Sequence, residues 1–232
     1  MSGLFISASG ILNAFQRQRV TANNIANLNT PGFQASRLLS TPTPGGGVQV
    51  GAITRDQSQG ALQTTGNPLD LATAQGYFRV EGPGGAQAYT RDGRFGLNAN
   101  GEVVTADGSR LIPPVQVPAG ATSVAVTQDG RVFATVAGQD APVPAGQFEV
   151  FTFTNPQGLQ AIGGGQYTAT DASGAAIPAA SLSLYAGVLQ GSNAGLATEQ
   201  VGLLLDTRYA QANVNAFRAQ DELLGELLDL QG

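Results

Sequence analysis

The chain has 232 residues, 32 of them glycine, with 12% charged side chains and a net charge of -5. It contains no histidine, cysteine or lysine, which excludes a Ser-His-Asp or Cys-His nucleophile, a Schiff base, a P-loop lysine, a histidine or thiolate metal site and a disulfide. Its eleven basic residues, all arginine, are scattered rather than clustered along one stretch, which disfavours a nucleic acid partner.

Two amphipathic segments bracket the chain. Leu4, Ala8, Ile11, Phe15, Ala22 and Ile25 recur at helical spacing and predict a helix over 2–26, with Gln18 as a polar interruption. Asn23, Asn24, Asn27 and Asn29 crowd its last turns, where their amides compete with the helical backbone, and Thr30-Pro31-Gly32 then turns the chain. Phe33 follows as a candidate apolar anchor. No basic region precedes the apolar stretch, and Arg17 and Arg19 interrupt it, so a secretory signal is not expected. Residues 41–47, with two prolines and three consecutive glycines, read as a linker.

The middle of the chain predicts antiparallel β structure. Glycine at about twice its usual share and charge at about half of the usual quarter favour turn-rich strands. Asp92-Gly93, Asn100-Gly101, Asp107-Gly108 and Asp129-Gly130 separate short segments such as 94–97, 102–105, 123–126 and 131–136. Each Asp-Gly pair reads as a type I′ hairpin turn rather than as a catalytic acid. Phe148 and Val150 alternate, but Phe151 and Phe153 continue in the opposite phase, so this strand either carries a bulge or is covered on both faces. Tyr77, Phe78, Tyr89, Phe95, Phe133 and Tyr167 are its candidate core fillers. Segments 163–165 and 171–180 read as exposed loops. No pair of carboxylates stands out as a glycosidase couple, and no cofactor site is expected. No apolar run reaches eighteen residues, so no lipid-spanning segment is expected.

From about 197 to 230 the pattern suits one helix of roughly 50 Å, with Ser192 and Asn193 as candidate N-caps. Leu203, Thr207, Ala210, Val214, Phe217, Asp221, Leu224 and Leu228 recur in alternating steps of four and three. A second stripe adjoins it: Leu205, Tyr209, Ala212, Ala216, Ala219, Leu223, Leu227 and Leu230. Together the two are wider than a two-stranded seam needs, which favours packing among several helices; a helix folded back on its own domain is the other reading. The fold class is therefore mainly β with terminal α-helices. Its parts are an N-terminal helix and turn (1–40), the linker (41–47), an antiparallel β domain (48–190) and a C-terminal helix (191–232), both helices calling for a partner outside the β region.

The run from Val20 to Phe33, Val-Thr-Ala-Asn-Asn-Ile-Ala-Asn-Leu-Asn-Thr-Pro-Gly-Phe, resembles the N-terminal signature of bacterial flagellar rod and hook axial proteins. The blocks 59–72, 76–80, 89–95, 153–159, 189–193 and Asp221-Glu222-Leu223-Leu224 are similar to that family's later motifs and stand in its order. One modest β domain points, within the family, to the distal-rod branch, with the proximal rod or a short hook-like protein as the alternative. The sequence departs from the pattern in the short stretch between Leu39 and Val48. It departs again at Asp206-Thr207-Arg208-Tyr209, where the family more often shows a Gln-Arg-aromatic run.

The resemblance implies a non-enzymatic structural subunit, exported through the type III channel and polymerised into a torque-transmitting tube in the flagellar basal body. Implied partners are further copies of the chain, other rod and hook proteins, and the export apparatus with chaperone or cap proteins. The expected assembly interface is Leu4, Ile11, Phe15, Asn23, Asn24, Ile25 and Asn27 on the first helix. On the second it is Leu203, Ala210, Val214, Phe217, Asp221, Leu224 and Leu228, with Asp221 facing Arg17 or Arg19 of a neighbouring copy. The terminal helices are expected to find no shelter within one copy and to order on assembly. A secreted β-rich adhesin is the more distant alternative.

Overall fold

A computed structural model describes residues 2–229 apart from 83, 181 and 182; side chains at 2 and 227–229 are not among those described. Two helices, α1 (Ser2–Ala26) and α2 (Leu196–Asp229), bracket a run of short strands. The chain divides into two compact units, one made of 1–28, 34–57 and 194–232 and the other of 29–33 and 58–193.

The first unit holds α1, α2 and a hairpin of β1 (Ser36–Pro42) and β2 (Val48–Arg55), antiparallel from Ser36 opposite Arg55 to Pro42 opposite Val48. The segment expected to be a linker is the tip of this hairpin. Gly45, Gly46 and Gly47 all have φ between 92° and 99°, a left-handed backbone that glycine adopts without steric cost. Thr43 N–H donates to Gly47 O and Gly46 N–H to Thr43 O, closing the reversal. The cap of α2 also differs from the expected one. Its first helical bond runs from Glu199 N–H to Gly195 O, whereas the Asn193 amide donates to Ser58 O at 3.0 Å. The asparagine is engaged elsewhere, and a glycine stands at the cap position.

In the second unit, strand Tyr77–Glu81 lies at the centre of a nine-stranded antiparallel sheet. On one side it pairs with Gln87–Thr90, then Gln166–Thr168, then Gln160–Gly163. On the other it pairs with Arg110–Ile112, then Val103–Thr105, then Phe95–Leu97. Strand Val150–Thr152 pairs with its first residues and with Ile177–Pro178. A separate three-stranded sheet joins Ala121–Val126, Arg131–Val136 and Val143–Gln147.

The segment from Phe148 to Phe153 is covered on both faces. Phe148 and Val150 join Leu71, Phe78, Phe95, Leu111, Val132 and Leu184 in one cluster. Phe151 and Phe153 join Tyr77, Tyr89, Leu159 and Tyr167 in another. Adjacent residues Tyr77 and Phe78 therefore serve opposite cores, as the period of two in a strand requires. Rings meet edge to face, Phe78 with Phe95 at 5.1 Å and Tyr89 with Phe153 at 4.9 Å, the arrangement favoured by the ring quadrupole. Phe133 is not one of the fillers: Val132 and Ala134 point inward and Phe133 lies half-buried in the other phase. Within the expected loop 171–180, Ser173 is fully buried, its hydroxyl donating to Thr170 O.

The turns also differ from the expected type. Among the described residues none other than glycine has positive φ, so no Asp or Asn occupies a type I′ position. Gly101, Gly108 and Gly130 take φ of 77° to 84°. In each loop the glycine N–H donates to the residue three before it, as Gly108 does to Thr105 O and Gly130 to Thr127 O. These are type I turns closed by a left-handed glycine. Asp92-Gly93 is a different device. A Cβ on Gly93 would lie 1.6 Å from Leu71 O, so here glycine serves close strand approach. Gly93→Ala is expected to destabilise the β unit by about 3 kcal/mol or more. At Gly108 the surroundings are open and alanine meets only the left-handed strain of about 1–2 kcal/mol. Urea unfolding of the two variants checks the order.

Candidate assembly surface

The end of α1 is fixed by its asparagines. Asn27 Nδ2 donates to Asn23 O at 2.9 Å, taking one of the carbonyls that a helix terminus leaves free. Asn24 is only 2% exposed. Its Nδ2 donates to Ser36 O and its Oδ1 accepts from Ser36 N–H, both at 2.9 Å, and Nδ2 also donates to Glu199 Oε1 at 3.1 Å. One amide thus ties α1 to β1 and to α2.

The two helices run antiparallel and meet through small and polar residues. Gly3 lies against Gln220, Gly10 against Asn213, Arg17 against Asp206 and Asn24 against Glu199. The steps are seven residues on each helix, taken in opposite directions. Cβ atoms on Gly3 and Gly10 would come within 2.7 and 2.4 Å of the amide oxygens of Gln220 and Asn213, so both glycines make room for a side chain of the opposite helix. Ser7, Asn13, Ala14, Thr21 and Asn24 are the buried residues of α1, and Asp206 is the buried residue of α2 among the described side chains.

The two apolar stripes of α2 lie on either side of this seam. Leu203, Phe217 and Leu224 are each 37% exposed on one flank, with Ala210 and Val214 half-buried beside them. Leu205, Tyr209 and Leu223 are exposed on the other. Asp221 is exposed, and the side chain of Leu228 lies outside the described residues. On α1, Leu4, Ile11 and Ile25 are half-buried, as is Asn27 in the turn after it, while Phe15 and Asn23 are exposed. Of the expected residues whose side chains are described, Asn24 alone lies in the seam.

Sequence periodicity passed over the seam itself, because glycine, asparagine, aspartate and glutamine score as solvent-facing in any apolar template. It also passed over Phe5, Leu12 and Leu204, which are at least two-thirds exposed. The expectation that the helices find no shelter in one copy needs correction. They pair with each other, but through polar atoms, and several of their large apolar side chains, Phe5, Leu12, Leu204 and Leu223 among them, stay mostly in solvent.

Arg17 holds the middle of the seam. Its Nε donates to Asn13 Oδ1 at 3.2 Å and its Nη2 to Ser40 Oγ at 3.3 Å, and its Nη1 stands 3.9 Å from Asp206 Oδ1. Arg17 is thus engaged within the chain, whereas Arg19, the other arginine expected to face Asp221 of a neighbour, is exposed. Burial pushes the Asp206 carboxyl above its ordinary value, and Arg17 opposes this only in part. Among the described residues no cluster of three or more acidic side chains could hold a metal ion, and no helix is long and apolar enough to cross a membrane.

Residues 6–34 match the family model described as flagella basal body rod protein, and residues 73–134 match that of the flagellar hook protein FlgE/F/G D1 domain. The chain is 32% identical to the flagellar basal-body rod protein FlgG of Buchnera aphidicola from Acyrthosiphon pisum, over 98% of both chains. It is 34% identical to FlgG of Caulobacter vibrioides over 97% of both. With FlgG of Bacillus subtilis it shares 32% over 100% of this chain and 99% of the other. Similarity to the rod protein FlgF of Rhizobium meliloti, at 36%, covers 56% of this chain.

Two outcomes follow from the geometry. Asn24→Ala leaves the Ser36 peptide groups without their partner and is expected to cost about 1–3 kcal/mol, read from thermal unfolding of the helical signal. Because the folded-state pKa of Asp206 is raised, its contribution to stability is complete below the ordinary carboxylate pKa and is lost as pH rises through the raised one. Asp206→Asn should therefore melt higher than wild type at neutral pH by circular dichroism. The gap should close as pH falls to about 4, near the ordinary aspartate value.

Proposed function

The chain belongs to the flagellar basal-body rod protein family and is a structural subunit of the rod in the bacterial flagellar basal body, and from that premise we propose that copies of it polymerise through the outward faces of α1 and α2. The observation that carries this reading is the inverted helix pair. Phe5 and Leu12 on α1 and Leu204, Tyr209 and Leu223 on α2 are each at least 55% exposed, while amides and charges fill the seam between the helices. Apolar surface left outside an intramolecular pair is available to other copies, at about 25 cal/mol for each Å² removed from water. Full-length agreement with FlgG proteins, against partial agreement with FlgF, supports the distal rod.

The role is mechanical. A head-to-tail contact that does not close on itself builds an open helical array, and torque is then carried by many modest contacts summed along it, with no catalytic step. The remaining partners we assign are neighbouring rod and hook proteins and the export apparatus with chaperone or cap proteins.

Electron microscopy of the concentrated full-length protein tests the reading: filaments or tubes are expected. Leu12→Asp, Phe217→Asp and Leu223→Asp should each raise the concentration needed for assembly by about tenfold or more, since burying an unpaired carboxylate costs several kcal/mol. The β unit should keep its unfolding midpoint in these variants. Tubes forming at the wild-type concentration in all three would remove the helix faces from the interface.

A further inference from the structure

Two of the four layers of the α1–α2 seam do not define an alignment. Gly3 and Gly10 both receive an amide side chain from α2, Gln220 and Asn213 respectively. A shift of one heptad would set Gly3 against Asn213 or Gly10 against Gln220, chemically the same pairs. The central layer is different. Asp206 is 6% exposed, and among the described residues Arg17 is the cationic group within 4 Å of it. Of the four α1 positions spaced seven apart along the seam, only 17 carries a cation. A slip in one direction would place Asp206 against Gly10, and in the other against the neutral amide of Asn24.

We propose that the Arg17–Asp206 layer is a register lock, which admits one alignment of α1 against α2 and rejects those displaced by a heptad. The physical basis is asymmetric. Asp206 is buried while the Arg17 side chain is 40% exposed, so the pair contributes little net stability, but a buried carboxylate that loses its cation is strongly unfavourable. The slip toward Gly10 would offer Arg17 a new acid in Glu199. It would still strand Asp206 and carry Asn24 past Leu196, where α2 begins. Asn13 Oδ1 and Ser40 Oγ hold the guanidinium from the α1 and β1 sides, so its position is set by contacts that do not involve α2. The lock operates within one chain and holds whether or not copies polymerise.

The chain contains no cysteine, so introduced pairs report alignment without background. In dilute full-length protein, Gly10→Cys with Asn213→Cys reports the native register. Gly3→Cys with Asn213→Cys and Gly10→Cys with Gln220→Cys report the two slips, since a disulfide forms only between closely apposed Cβ atoms. Under mild oxidation the native pair is expected to close intramolecularly at least about tenfold faster than either slipped pair. With Arg17→Leu and Asp206→Leu together, the slipped pairs should rise to within about threefold of the native one, the helices remaining paired through leucine. Arg17→Asp with Asp206→Arg should restore native-only closure. Native-only closure persisting in the double-leucine chain, or equal closure of all pairs in the unaltered seam, would overturn the lock. A double-leucine chain in which no pair closes would show that the layer holds the helices together rather than choosing their alignment, and would overturn it equally.

Discussion

Everything in the helical unit depends on which atoms α1 and α2 bury against each other. A helix pair ordinarily closes by burying its leucines, and the pairing is then strong and permissive. Here the contact is made by glycines that accommodate amides, by an arginine near a carboxylate, and by an asparagine bonded to a strand backbone. Such groups lose water hydrogen bonds on burial and regain protein ones, so their net contribution is small but their geometry is exacting. Weak cohesion within the pair and a large apolar surface outside it are two aspects of one distribution of residues.

That distribution suits a subunit whose contacts must be made mainly with other copies. If Phe5, Leu12, Leu204 and Leu223 were used inside the pair, the chain would be a self-sufficient hairpin with little left to offer. The polar seam leaves those side chains unused while still presenting them from a defined helix pair, which lowers the ordering cost of association. The β unit makes no comparable concession. Its strand from Tyr77 to Glu81 serves two apolar clusters at once, and its tightest approach, Gly93 against Leu71, excludes even a methyl group.

Much of this was legible in the sequence. The bounds of α1 follow from the spacing of Leu4, Ile11 and Ile25 and from the asparagines before Thr30-Pro31-Gly32, and α2 starts within a residue of its apolar pattern and is helical through Asp229. The double coverage of the Phe148 to Phe153 segment was readable in its phase change. The turns were located correctly but assigned the wrong conformation, because an Asp-Gly pair marks a reversal without saying whether one residue or both take positive φ. The segment 41–47 looked like a linker for a related reason: glycines and prolines announce a bend, and only the pairing of the strands on either side makes it a hairpin.

What the sequence determined by itself is the set of local choices, those fixed by neighbours three, four or two residues away: where helices run, where strands alternate, where the backbone needs glycine, and which chemistry the missing residue types forbid. Tertiary structure alone decided which face of each helix turns toward the other. That choice rests on a balance between distant groups, the room left by Gly10 for Asn213 and the one cation placed for Asp206. No periodicity in either helix encodes it, because each half of the contact is polar and becomes worth burying only when the other half is there to satisfy it.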